Sequence, residues 1–457
     1  MQDEIFYVFF LCLHIAFGAF HLDKVPLPFR PFVCSFIGVC TSVLLMGWEF
    51  LHMILLSLAT VAIIVAYRRT KKFNLTFVLN MVAFGHLLVF RLDSSNCFSN
   101  MIMMMLVLKM AGLGVELTAG AGSAQDAAVS EASVLDILHY AFSYPGLLAG
   151  PYIRFRTYFD FIHDVCPTTF EERKLFMTKR LAQLPYLVAM FLASSAFAPV
   201  GPAKTAGFYQ RSGFLYTLWY MMAMFVGFRA RLYIGFVLAE CTCIAAGLGA
   251  YPTRWVNSSG EGPRDRNLHL ENKSNRLYRH HNANDPISLR PIDFNTVTNV
   301  DIWSCETAPT IKTTMRAWNQ TVQYWLAVNC HKRLPFRDRA TRMAITLAVS
   351  AFWHGVRPGY YLCFVTMVFF VVAENQIVAF LRRHSLAVTA SSNPVMCVIL
   401  GQPKMAVFAY LTVAFIMSSL VQIFRFYWNV YFVGHFAVIV CILLFCRTSR
   451  SREHQET

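Results

Sequence analysis

Apolar runs long enough to embed in a bilayer recur along the chain, at residues 5–22, 32–48, 49–67, 75–90, 101–119, 184–197, 214–228, 232–250, 360–381, 405–424 and 426–446. A hydrocarbon core about 30 Å thick takes roughly 20 predominantly apolar helical residues per crossing, and somewhat fewer where the bilayer thins. With the less apolar helices around residues 314–356, the pattern predicts roughly eleven or twelve membrane-embedded helices. The expected fold is all-α and polytopic, a single integral-membrane domain over residues 1–457. Basic clusters separate the runs: Arg68, Arg69, Lys71 and Lys72; Arg382 and Arg383; and a tail at 447–457 with Arg447, Arg450 and Arg452. Cytoplasmic loops collect Lys and Arg, so these clusters are placed in the cytoplasm. With Lys24 and Arg30 also inside and a tight turn at Trp48-Glu49 outside, Met1 starts on the lumenal side. The one long polar stretch, residues 254–312, reads as a solvated loop over the membrane domain. His280-His281 within it has no carboxylate or Cys at ligand spacing and reads as a solvated pair. Asn74, Asn257 and Asn272 head Asn-x-Ser/Thr sequences, which are glycan acceptors only if lumenal.

Composition narrows the class further. Of 457 residues, 56% are hydrophobic and 14% charged, against roughly 45–50% and about 25% in soluble proteins, which excludes an ordinary soluble enzyme. The net charge of +15 alone invites a nucleic-acid reading. The repeated apolar runs and a mean hydropathy of +0.47 exclude it, and the charge reads as a cytosolic fringe. The thirteen cysteines include no CxxC pair, and Cys12, Cys34, Cys40, Cys363, Cys397, Cys441 and Cys446 lie in apolar runs, where Cys acts as a small hydrophobe. Cys241 and Cys243 have a poor metal spacing, so neither a disulfide scaffold nor a zinc site is expected. The stretch from Met1 to Glu4 lacks the basic segment of a cleavable signal, so the first run reads as a retained anchor.

Polar side chains inside lipid are costly, and each is a functional-site hypothesis. His14, His86 and His435 are isolated and read as packing or interfacial residues, and Glu240 and Glu374 as buried structural partners. The dense case is residues 314–364. Trp318, Val322 and Trp325 form an apolar stripe at helical spacing, with Asn319 and Gln323 one turn apart on a neighbouring face. The plain reading is an interfacial helix with a satisfied Asn. A basic turn at residues 331–337 contains Pro335, and an apolar helix from about Thr341 ends at Trp353-His354-Gly355, with Gly355 and Pro358 as stop signals. If the chain reverses near Phe336, Asn319 lies 17 residues before the turn and His354 18 after it. At 1.5 Å per residue both are about 26 Å from the bend, at equal depth. A neutral imidazole there suits proton abstraction from a hydroxyl, since unperturbed His titrates near 6.5. The Asn amide can donate a hydrogen bond to the oxyanion formed when that oxygen attacks an acyl carbonyl. There is no G-x-S-x-G elbow and no reactive-Cys signature, so direct transfer is simpler than a covalent acyl-enzyme.

The same residues resemble a known family. Trp318-Asn319-x-Thr321-Val322-x-x-Trp325, followed 35 residues after the Asn by Trp353-His354-Gly355, is similar to the signature pair of the membrane-bound O-acyltransferase (MBOAT) family. The Gly-Pro-aromatic run at residues 150–158 resembles a segment of lysophospholipid acyltransferases. The runs at 239–252 and 350–361 resemble the lysophosphatidylinositol acyltransferase subfamily. The likeness covers about residues 135–432. The sterol-acylating branch carries Phe-Tyr-x-Asp-Trp-Trp-Asn, whereas here Thr314-Met315-Arg316-Ala317-Trp318 precedes the Asn, which makes a sterol or diacylglycerol acceptor less fitting.

The resemblance implies an intramembrane chamber entered by acyl-CoA from the cytosolic side. It implies transfer of a polyunsaturated, arachidonoyl-type chain to the sn-2 hydroxyl of lysophosphatidylinositol, in the endoplasmic reticulum membrane; the self-contained membrane domain leads us to expect a monomer. His354 would be the general base, and Asn319 would orient the acceptor or stabilise the oxyanion. No metal or cofactor is implied, acyl-CoA being a substrate. The substrate-binding candidates are Trp318, Trp325, Arg154, Arg156, Ser350 and Gln323. Arg229, Arg231, Arg316 and Lys332 are further rim candidates for phosphate, explained about as well by a positive-inside fringe. One alternative keeps the chemistry with another lysophospholipid or a protein as acceptor. Another is a proton-coupled transporter relaying protons through His354, Glu240 and Glu374.

Overall fold

One expected pair of spans fuses into a longer helix in the computed structural model, which describes residues 2–94, 96–118, 129–263, 292–383, 394–417 and 419–453. The runs at 32–48 and 49–67 become two helices, Arg30–Met46 and Phe50–Thr70, connected through the 3-10 turn Gly47–Glu49. Gly47, at φ 57° and ψ −130°, breaks the helix at the turn expected beside Trp48-Glu49. The runs at 214–228 and 232–250 form one 33-residue helix, Phe214–Ala246. Arg229 does not end it, because Glu306 neutralises the guanidinium through two bonds of 2.9 and 3.1 Å.

Among the described residues six helices are long and apolar enough to cross a membrane, and a seventh counts if Leu420–Asn429 and Val433–Leu444, bent by 72°, are one span. This is fewer than the eleven or twelve expected, partly because Leu27–Thr70 and Phe214–Ala246 each take in two expected runs and partly because helices such as Glu4–Phe20 fall short of the length of a full crossing. The strands among the described residues are four of two residues each, in two antiparallel pairs. The protein is an all-α, integral multi-pass membrane protein.

The chain forms two compact units. The first comprises Met1–Leu184, Gly235–Asn299 and Asn319–Lys332. Its centre is Cys97–Thr118, the most buried of the long helices, with apolar residues on every side around the buried Lys109 and Glu116. Around it pack Arg30–Met46, Phe50–Thr70, Leu75–Asp93, Val134–Phe142, Phe155–Ile162 and Gln320–Asn329. Gly114 permits the close approach, since a Cβ there would lie 2.6 Å from Thr76 Cα. Side-chain caps fix where the surrounding helices begin: Asn74 accepts from Phe77 N–H, and Ser133 with Asp136 and Thr169 with Glu172 form capping boxes, each worth about 1 kcal/mol. His14 bonds Thr41 at 2.9 Å, the packing role expected of it.

The polar stretch is less solvated than expected. Tyr251–Pro252 pairs with Ile292–Asp293 and Asn257–Ser258 with Gly262–Pro263, while Trp255, Phe294, Val297 and Asn299 are buried. Its apolar residues have found a core, and its amides follow: Asn257 Nδ2 donates to both Asp293 oxygens at 3.1 Å. Asn272 and His280-His281 lie outside the described residues.

The second unit comprises Pro185–Ile234, Val300–Trp318 and Arg333–Thr457. Its centre is Pro358–Arg383, packed by Arg339–His354, Pro394–Ile416, Leu420–Asn429, Val433–Glu453 and Ile311–Ala317. The core includes Met405, Leu411, Val413, Ala414, Ile423 and Val430. His435 accepts or donates at 2.6 Å to Tyr410, again a packing histidine. The basic tail continues as helix to Glu453.

Candidate active site

Asn319 sits at a break in the chain. The expected helix through residues 315–326 ends at Ala317 and restarts at Gln320, with Asn319 between them in the left-handed region at φ 46°, ψ 50°. Asn tolerates that region better than most residues because its short amide bonds locally. Trp318 therefore caps one helix while Trp325 lies within the next, and the stripe of Trp318, Val322 and Trp325 does not form.

A buried polar chain in the first unit holds the new helix start. Gln320 N–H donates to Asn299 O at 2.7 Å, and the Thr321 hydroxyl donates to Asn299 Oδ1 at 2.7 Å. The same hydroxyl accepts from Tyr152 N–H at 2.9 Å. Asn299 N–H donates to Glu240 Oε1 at 2.6 Å, and Arg180 Nε lies 2.9 Å from Glu240 Oε2. Glu240, Asn299, Thr321 and Tyr152 are all buried, so an unmatched member would cost about 1–3 kcal/mol. Glu240 is thus the structural partner the sequence suggested. Trp325 anchors the helix from its far side, its indole N–H donating to Leu108 O at 2.9 Å.

His354 is the last residue of Arg339–His354 in the second unit. Its ring is half-buried among aromatics: Trp353 at 4.8 Å, Phe364 stacked at 5.4 Å, Phe415 edge-on at 5.1 Å and Tyr360 at 6.2 Å between centroids. Gly355 and Gly359 allow that packing. A Cβ at 355 would meet Tyr360 Cε2 at 2.4 Å, and one at 359 would meet Ala414 O at 2.0 Å. The equal arms of the expected hairpin are not formed: Gln320–Asn329 has 10 residues, about 15 Å of helix, and Arg339–His354 has 16, about 24 Å.

Residues 48–412 match the MBOAT, membrane-bound O-acyltransferase family. The chain belongs to that family. It is similar to membrane-bound acylglycerophosphatidylinositol O-acyltransferases: 33% identical to that of Drosophila melanogaster over 95% of this chain and 90% of the relative. It is 31% identical to that of Xenopus laevis over 79% and 77%, and 29% identical to that of Homo sapiens over 79% and 77%. The protein is an O-acyltransferase, and the transporter reading falls. Glu374, one of its proposed relays, instead caps Ile311–Ala317, accepting from Ile311 and Lys312 N–H at 2.5 and 3.1 Å.

The remaining candidates of this MBOAT chain divide between packing and open chemistry. Trp318 stacks obliquely on Tyr233 at 5.2 Å, and the Tyr233 hydroxyl donates to Glu306 at 3.0 Å. Ser350 is buried one turn before His354, and Gln323 N–H closes the first helical turn on Asn319 O at 3.1 Å. Arg154 is occupied by Glu116 at 3.4 Å and the Glu261 carbonyl at 2.8 Å, and Arg156 by Asp160 at 3.3 Å. Burial raises the Asp160 pKa, against Arg156 and the Tyr251 hydroxyl, which pull it down. The first unit thus holds Asn319, Gln323, Trp325, Arg154 and Arg156, and the second holds Trp318, Ser350 and His354.

Sequence reasoning missed Glu116, Asn299 and Glu306. Glu116 takes the Phe155 and Arg156 N–H groups at 3.0 and 2.9 Å, fixing the start of that helix. A carboxylate within the apolar run 101–119 was its signal, the same one that marked Glu240. Asn299 and Glu306 stand in a polar stretch, where nothing distinguishes them.

Proposed function

We propose that this O-acyltransferase moves an acyl chain, of the polyunsaturated arachidonoyl type, from acyl-CoA to the sn-2 hydroxyl of lysophosphatidylinositol. Similarity across nearly the whole chain to a relative named for acylglycerophosphatidylinositol carries the reading. The half-buried imidazole of His354 and the left-handed Asn319 supply its chemistry. His354 takes the proton of the acceptor hydroxyl as its oxygen attacks the thioester carbonyl. The Asn319 amide donates a hydrogen bond to the resulting oxyanion. The carbon–sulfur bond breaks, the ester remains on the lipid, and the imidazolium returns the proton to the CoA thiolate. The step draws on no metal or cofactor. The enzyme acts as a monomer in the endoplasmic reticulum membrane, where both amphiphilic substrates partition.

The test presents membranes containing the protein with arachidonoyl-CoA and lysophosphatidyl-inositol, -choline, -ethanolamine and -serine in turn. Preferential acylation of the inositol lysolipid is expected. Membranes that acylate the others and ignore it would sink the acceptor assignment. Mass spectrometry of phosphatidylinositol chains after loss and rescue of the protein checks the acyl preference in cells.

A further inference from the structure

Charge separates two cavities found among the described residues of the first unit. The smaller, about 90 Å³, is lined by Asp23, Arg30, Asp160, Asp164 and Arg173. Its cations are matched: Arg173 by Asp23, and Arg30 by Asp164 at 3.9 Å. The larger, about 240 Å³, is lined by Lys179, Arg180, Gln183, Glu240, Asn295 and Thr298 over an apolar floor that includes Phe176 and Phe294. Its one carboxylate is already engaged on both oxygens, by Asn299 N–H and by Arg180. Arg180 Nε lies 2.9 Å from Glu240 Oε2 and its Nη2 donates to Thr298 Oγ1 at 3.1 Å, so a planar, five-donor guanidinium stands in the wall. Lys179 lies over the Phe176 ring at 5.5 Å, and its exposed ammonium forms no ion pair among the described residues. The wall therefore carries a surplus positive charge beside amide and hydroxyl donors, above hydrocarbon. That combination fits an anion of tetrahedral oxygens attached to an apolar body.

The cavity also has a place relative to the candidate chemistry. From Arg180 the path runs to Glu240, to Asn299 N–H at 2.6 Å, and from Asn299 O to Gln320 N–H at 2.7 Å, the residue after Asn319. We infer that this cavity is a phosphate subsite for a substrate of the acyl transfer, with Lys179 and Arg180 as its cationic ligands. The inference rests on the proposed reaction, in which both substrates carry phosphate: acyl-CoA on its nucleotide arm and the lysolipid on its headgroup.

The test measures KM for arachidonoyl-CoA and for the lysolipid separately, each with the other saturating, in wild type, Lys179→Gln and Arg180→Lys. Arg180→Lys keeps the charge beside Glu240 and loses the fork. Each variant should raise KM for one substrate about tenfold, the loss of one charge-assisted hydrogen bond, with kcat little changed. A rise confined to acyl-CoA assigns the site to the nucleotide phosphates, and a rise confined to the lysolipid assigns it to the headgroup. Unchanged KM for both substrates in Lys179→Gln overturns the inference, as does a fall in kcat alone. If wild type prefers another lysophospholipid, the acceptor assignment fails while the same comparison, run with that lipid, still decides the subsite. Binding of radiolabelled acyl-CoA and lysolipid to purified wild type and Lys179→Gln gives the same answer without turnover, and equal affinities there refute the subsite.

Discussion

Replacing Asn319 with glycine and with alanine separates what its backbone does from what its amide does. At φ 46° and ψ 50° the residue occupies the left-handed region, where a β-carbon costs roughly 1–2 kcal/mol and glycine is free of that cost. Asn offsets part of the cost locally, so Asn319→Ala should lose about 1 kcal/mol of stability and Asn319→Gly should lose none. Neither change removes the bond from Gln320 N–H to Asn299 O, which holds the helix start. A loss of about 1 kcal/mol leaves a domain stable by about 5–15 kcal/mol almost wholly folded, so folding cannot account for a large loss of rate. If the amide donates to the oxyanion, both variants lose about 10²–10³ in kcat. The assay is release of CoA thiol at saturating lysophosphatidylinositol and arachidonoyl-CoA, normalised to monodisperse protein and paired with a thermal midpoint. A glycine variant turning over near the wild-type rate would show that the position demands only a left-handed residue, and would remove the amide from the mechanism.

Three further outcomes follow from named contacts. His354→Ala should abolish acyl transfer while keeping the wild-type elution profile and a similar thermal midpoint, and normal turnover would exclude His354 as the base. Glu240→Ala leaves Arg180 and Asn299 N–H without their buried acceptor and should cost about 3–5 kcal/mol. Glu240→Gln retains an acceptor and should lose less, so equal midpoints for the two variants contradict the assigned contacts. Gly359→Ala places a Cβ 2.0 Å from Ala414 O and forces backbone apart, at a cost of about 1–3 kcal/mol. An unchanged midpoint would mean that Pro358–Arg383 and Pro394–Ile416 do not pack as described.

What the sequence revealed, and what it concealed, follows from the reach of each signal. Hydropathy is a local sum, so the embedded helices were legible as runs, yet it cannot tell whether adjoining runs turn or continue. Phe214–Ala246 continues because Glu306, distant in sequence, neutralises Arg229, and no local window contains both. The polar stretch misled for a related reason. Trp255, Phe294 and Val297 are sparse among charges, yet each is buried by contacts that no local window contains.

The site was legible as residue types and not as geometry. Asn319 and His354 stood out because polar groups are rare in apolar surroundings, and the motif around them carried the family. Their supports did not stand out, for they work through backbone groups that a sequence does not display: Glu240 through Asn299 N–H, Asn299 through Gln320 N–H, Glu116 through Phe155 N–H. A periodic reading also assumes that the helix persists, and a single left-handed residue ends that assumption. The break at Asn319 moves Trp318 off the helix that carries Trp325, and at that break the Asn amide is no longer committed to one face of a regular helix. A residue that must both end one helix and present its amide has few substitutes: glycine supplies the conformation without the amide, and glutamine supplies an amide on a longer chain at greater backbone cost. The two demands together, more than helical periodicity, account for Asn at this position.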